Sequence, residues 1–183
     1  RRAEAEVGLL IPPADRPSAQ SPEEVARESV MCSENATDIV DGWLTVSRSA
    51  QGGGHVLDAL LSAIEAACGN GLEARVPIAS YIEASKQLIA LGRFGDALPI
   101  ALTAVKTFSK SSVALLLVGV ISLRLGEVDD AEMALRESNL LDNRNCEVWA
   151  YQALLCLQAG ARRSEEADAA LFQTLRLGLA APS

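Results

Sequence analysis

The residues of this chain that could do chemistry are few, and the first to consider is its single histidine, His55. It directly follows three glycines, residues 52–54, a composition also found in phosphate-binding loops. Such a loop needs a preceding strand and a following Lys-Ser or Lys-Thr pair, and neither is found here. A catalytic histidine needs a second group that orients it, and none can be named near His55. The sequence therefore predicts a flexible turn, no catalytic residue and no bound cofactor.

Four neighbouring carboxylates suggest a metal site at first reading: Glu127, Asp129, Asp130 and Glu132. They surround the predicted start of a helix, where acidic side chains complement the helix dipole. A solvated helix face explains them better, so no metal site is predicted. Further along, Arg162-Arg163-Ser164 has the form of a basophilic kinase site, but an exposed loop before a helix is the simpler interpretation.

The cysteines also give no site. They are Cys32, Cys68, Cys146 and Cys156. Only the last two lie near each other, and ten residues fit neither a zinc nor a redox spacing. The sequence predicts buried free thiols, which gives weak support for a reducing, cytoplasmic compartment.

The elements that carry these residues are indicated by three glycines spaced 34 residues apart, Gly92, Gly126 and Gly160. Each separates two apolar stretches of helical period. Small residues stand at fixed offsets from them, including Ala97 and Ala131, which we expect to be buried where two helices cross. This pattern resembles the tetratricopeptide repeat, a 34-residue helix–turn–helix unit that stacks on copies of itself.

The resemblance implies an all-α fold, an α-solenoid of antiparallel helix pairs in a right-handed superhelix. Its clear units are residues 78–111, 112–145 and 146–179. Gly119 takes the small-residue position of the second of these. The third has two extra residues in its turn. With Gly54 in the turn position, residues 40–77 are predicted to form a degenerate fourth unit.

The other segments are short. Residues 1–20 are predicted to be a linker and residues 180–183 a tail. Residues 21–39 are predicted to hold an N-terminal helix from Pro22 to about Ser33, because Ser21 and Glu24 have the spacing of a capping box.

Composition excludes two classes of partner. The chain of 183 residues has a net charge of −8 and no basic stripe, so a nucleic acid is not expected. Its longest apolar run, Val113–Leu123, falls well short of the roughly 20 residues that span a bilayer. We therefore predict no membrane partner.

The predicted binding surface follows from the resemblance, in which first helices line a concave groove. Transferred to this chain, the groove is mostly aliphatic. Its residues are Ile82, Lys86, Ile89, Val113, Leu116, Val120, Leu123, Leu154 and Leu157. An apolar helix or extended segment of another protein would suit it. Members of the family that hold chaperone tails use Lys, Arg and Asn to clamp a carboxylate, and Ile82, Leu116 and Ala150 occupy those positions here.

A large exposed apolar patch is rare on a monomer, so this groove must be covered. A partner could cover it, or another part of the chain, such as the helix from Pro22 or the segment Val7–Ile11. The sequence leaves these two alternatives open.

A narrower resemblance is carried by Glu147–Tyr151, Leu154–Leu157 and Arg176–Leu179. These segments are similar to the closing repeats of a cilia- and flagella-associated tetratricopeptide protein of the axonemal central apparatus. That resemblance implies a non-enzymatic scaffold in a large multi-protein complex of the cytoplasm, cilium or flagellum. The alternative is a recruitment or regulatory module of a larger enzyme whose catalytic domain lies outside this chain.

Overall fold

The computed structural model describes residues 21–32, 39–44 and 54–180, and within these it contains helices and no strand. The α-helices are α1 (Pro22–Cys32), α2 (39–44), α3 (Gly54–Gly69), α4 (Ile78–Ala90), α5 (Phe94–Thr107), α6 (Ser112–Leu125), α7 (Val128–Leu141), α8 (Cys146–Gln158) and α9 (Ser164–Ala180). Short 3-10 turns precede α4 and α9, at Glu73–Arg75 and Gly160–Arg163. The predicted all-α class is confirmed. The linker over residues 1–20 and residues 181–183 of the predicted tail lie outside the described residues.

The first helix begins where the capping box predicts. The Ser21 amide donates to a carboxylate oxygen of Glu24 at 3.1 Å, and the Glu24 amide donates to the Ser21 hydroxyl at 3.2 Å. Two amides that the helix itself leaves unpaired are thereby satisfied.

The three spaced glycines lie in the turns between paired helices. Gly92, Gly126 and Gly160 have φ values of 73°, 85° and 77°, a left-handed conformation that side chains with a Cβ rarely adopt. Gly126 ends α6 in this conformation, and the amide after it, of Glu127, bonds back to the Ser122 carbonyl. The 34-residue spacing therefore marks a backbone requirement that repeats in each unit.

Helices α4–α5, α6–α7 and α8–α9 form antiparallel pairs that stack in chain order, with α5 packed on α6 and α7 on α8. Ala97 and Ala131 have no exposed surface, as expected for residues at helix crossings. Helix α6 is apolar around its circumference, and residues 114–122 are all buried because the neighbouring helices enclose it.

The N-terminal part differs from the predicted register. Helix α3 begins at Gly54 itself, so Gly54 is helical and does not occupy a turn like that of Gly92. Helix α1 packs along α3 and not in the predicted groove. The chain is thus an α-solenoid whose N-terminal end is closed by α1 and α3.

Candidate protein-binding faces

The middle of the predicted groove is occupied by the chain itself. Leu116 and Val120 on α6 are only 4% and 5% exposed. They belong to one apolar cluster with Val148 and Leu155 of α8, so the next unit covers them. For these two residues the cover is supplied within the chain, by the following repeat.

The remaining groove residues of the first two units form a partly accessible edge. Ile82 and Ile89 are half-buried against the main core, whereas Lys86 between them is exposed. Val113 is half-buried, and Leu123 lies beside the cluster that contains Val120. This stripe of groove residues therefore serves mainly to pack one unit against the next, and Lys86 is a polar residue at its edge.

The last unit leaves the same stripe open. Leu154 and Leu157 on α8 are 40% and 56% exposed. On α9, Leu171 and Leu175 are likewise 40% and 63% exposed. We call these four leucines the end face.

The sequence pattern did not predict the α9 half of the end face, although the sequence contains a signal for it. Helix α9 starts 36 residues after α7, because the turn before it is longer. Leu171 is thus equivalent to Leu135, which is fully buried against the next unit. Leu171 is therefore an apolar residue at a position that the preceding unit buries.

On the side of the stack formed by the second helices of the units (α3, α5, α7 and α9), an arginine spans the space between α3 and α5. Arg93 precedes α5 and donates to Asp58 of α3 and to Asp96 of α5, both at 2.8 Å. These hydrogen bonds, with Asp58 first, raise the pKa of the Arg93 guanidinium.

A second arginine does the same between α7 and α9. Arg163 makes two hydrogen bonds to Glu132 of α7, at 2.9 and 3.0 Å, and its nearest contact with Glu166 of α9 is 2.8 Å. The guanidinium holds the pKa of the Glu132 carboxyl below its usual value. Arg163 is therefore part of an ion-pair network, a role that the kinase-site pattern of residues 162–164 did not indicate.

The Arg163 network borders a cavity of about 380 Å³ that is also lined by Trp149 and Cys156. Burial raises the pKa of the Cys156 thiol. Cys156 is buried, whereas Cys68 and Cys146 are half-buried, and all three are free thiols. A neutral thiol is a poor nucleophile, because the thiolate is the reactive form.

His55 lies at the surface. Its side chain is 86% exposed, and its Nδ1 is 4.0 Å from a carboxylate oxygen of Glu23 on α1. This contact links α1 to α3 but provides no enclosed site. Across residues 21–32, 39–44 and 54–180, no group of three or more His, Cys, Asp or Glu side chains is placed to hold a metal ion. In the same part of the chain, no helix is both long and apolar enough to cross a membrane.

Comparison with known proteins agrees with the fold. The fragment of MamA from residue 41 to its end, from Desulfovibrio magneticus RS-1, has a TM-score of 0.50 and 11% sequence identity, covering 91% of this chain and 100% of that chain. At this identity the likeness concerns the fold alone.

Sequence relatives are more specific. Cilia- and flagella-associated protein 70 of Macaca fascicularis and that of Homo sapiens are each 45% identical over 71 residues. This match covers 39% of the chain but only 7% and 6% of the relatives' own lengths. Residues 55–183 match the family model described as the Cilia and flagella-associated protein 70 C-terminal domain. The chain therefore belongs to the family of that C-terminal tetratricopeptide domain.

Proposed function

We propose that this chain is a non-enzymatic scaffold that holds another protein in a ciliary assembly, and that the end face is its binding surface. Membership of a family named for cilia and flagella supports the location. Repeat solenoids commonly act through extended surfaces that bind other proteins. Within the cilium we place the scaffold in the central apparatus of the axoneme, as the resemblance of its closing repeats implies.

The observation that carries the proposal is a difference between equivalent positions. Val120 and Leu135 are buried under α8, whereas Leu154 and Leu171, their equivalents one unit later, are each 40% exposed. In the preceding unit α8 covers this surface. In the last unit the equivalent surface is exposed.

The arrangement of the four leucines supports a helical occupant. Leu154 and Leu157 are three residues apart on one helix, and Leu171 and Leu175 are four apart on the next, so each pair shares a helix face. An apolar helix lying as α8 lies on α6 and α7 would cover all four. Burying a fully exposed leucine contributes roughly 1.5–3 kcal/mol. Each of these four is between 40% and 63% exposed, so covering it would contribute a corresponding part of that free energy.

The proposal is tested by capture from isolated cilia with the intact protein and two variants. Leu157→Glu places a charge on the end face, and Leu140→Glu is the control because Leu140 on α7 is 86% exposed and outside that face. We expect Leu157→Glu to lose its partner while keeping its melting temperature, and Leu140→Glu to retain both. Equal capture by both variants would contradict the proposed surface.

A tagged protein tests the location. We expect its signal along the axoneme and at the central apparatus. A signal confined to the cell body would exclude the axonemal role.

A further inference from the structure

Each of the three repeat units has an equivalent position directly before its second helix. It holds Arg93 before α5, Glu127 before α7 and Arg163 before α9. In the first and last cases the arginine joins the carboxylate three residues later to a carboxylate of the preceding second helix. Two of the three spaces between successive second helices are therefore bridged by a built-in cation.

The middle space, between α5 and α7, has the carboxylates without the cation. Glu127 stands where the arginines stand in the neighbouring units, and Asp130, three residues later, matches Asp96 and Glu166. Glu137 lies on the same wall. All three carboxylates are exposed, and none forms an ion pair among the described residues. This site therefore has an uncompensated negative charge.

The same space is an apolar cleft of about 360 Å³. Leu115 and Val118 of α6 form its floor and are nearly buried. Leu102 of α5 and Met133 of α7 stand at its mouth, 48% and 57% exposed. Flexible leucine and methionine side chains adapt readily to an inserted apolar group.

We propose that this cleft binds a basic amphipathic helix of another protein, with a large apolar side chain in the cleft and a Lys or Arg beside it against Glu127 and Asp130. The partner's cation takes the role that Arg93 and Arg163 have in the neighbouring spaces. The negative rim favours a cationic partner and repels nucleic acids and anionic membranes. None of its residues belongs to the end face, so a scaffold of this kind holds two partners at once.

The direct test uses a short synthetic helix of leucine and lysine as the probe, with fluorescence anisotropy as the readout on the whole 183-residue chain. Matched probes carry glutamine in place of lysine, or serine in place of leucine. We expect the basic apolar probe to bind, its affinity to fall with added salt, and both matched probes to bind at least about tenfold more weakly. If the leucine-lysine probe does not bind at micromolar to millimolar concentration, or if the serine probe binds equally well, the proposal is wrong.

Variants then locate the site. Glu127→Arg restores the sequence pattern of the neighbouring units, so the new arginine should pair with Asp130 as Arg93 pairs with Asp96. We expect it to weaken probe binding about tenfold without loss of stability. Glu165→Arg, in the first turn of α9, makes the same change of charge outside the cleft and should change binding less than about twofold.

Met133→Ser addresses the apolar half of the site, and since Met133 is exposed the fold should survive. It should weaken the basic probe several-fold. An equal loss in the Glu127 and Glu165 variants, or an unchanged affinity in the Met133 variant, would show general charge attraction and overturn the proposal.

Discussion

A Cβ atom built on Gly119 would lie 2.7 Å from Cγ of Leu135. Helices α6 and α7 thus approach so closely that one side has no room for a methyl group. The nearest atom is the branch point of Leu135 and not the end of a flexible side chain, so relief would require α7 or the leucine to move. The small-residue position recognised in the sequence is therefore a close contact between helices.

The first prediction concerns that contact. Gly119→Ala gains helix propensity of about 1 kcal/mol but overpacks the crossing by about 1–3 kcal/mol, so we expect a net loss of stability. Gly95→Ala on α5 is the control, because a Cβ there meets nothing within 4 Å. Urea unfolding of both variants measures the difference. Equal or greater stability of the Gly119 variant would show that the crossing can relax.

The second prediction concerns the turns. Gly126→Ala places a Cβ at a φ of 85° in open space, so its cost is conformational and about 1–2 kcal/mol. Gly178→Ala inside α9 has no such constraint and should be neutral or gain up to about 1 kcal/mol. Thermal melting with calorimetry compares them, and opposite signs are the expected result.

The third prediction separates the covered and open parts of the leucine stripe. Val120→Glu would bury an unpaired charge under α8 and should cost roughly 3–5 kcal/mol. Leu154→Glu is the equivalent change in the next unit, where the side chain is 40% exposed, and should cost much less than the Val120 change. The denaturant midpoints of the two variants measure this difference in stability. A normally stable Val120 variant would mean that α8 does not cover this position in solution.

The fourth prediction concerns pH. Arg163 lowers the pKa of Glu132 below its ordinary value of 4.5, so the stabilisation is present above that value and is lost as the pH falls through the lowered pKa. Arg163→Gln removes it and should cost about 1 kcal/mol at neutral pH.

The test is the free energy of unfolding measured from about pH 7 to about pH 3. The Arg163→Gln variant should lose less stability than the wild type over the acidic part of this range. Parallel pH profiles would show that the ion pair contributes no measurable stability. The conservative Arg163→Lys variant should keep part of the pH dependence, because it retains a charge but not the two parallel hydrogen bonds.

The sequence by itself determined the local features of the fold. A left-handed turn is accessible to glycine at little cost, so a 34-residue glycine period predicts where helix pairs reverse. A serine and a glutamate three residues apart predict the start of α1 because both capping bonds are local. The small positions at Ala97 and Gly119 follow from the same register.

Only the tertiary structure decided which apolar residues remain available for binding. Val120 and Leu154 occupy the same place in their units and have similar side chains, so no local pattern distinguishes them. Their burial differs because α8 lies on the first and nothing in the described chain lies on the second. The pairing of Arg163 with Glu132 likewise joins residues 31 apart in sequence, and it depends on how the longer turn places α9 beside α7.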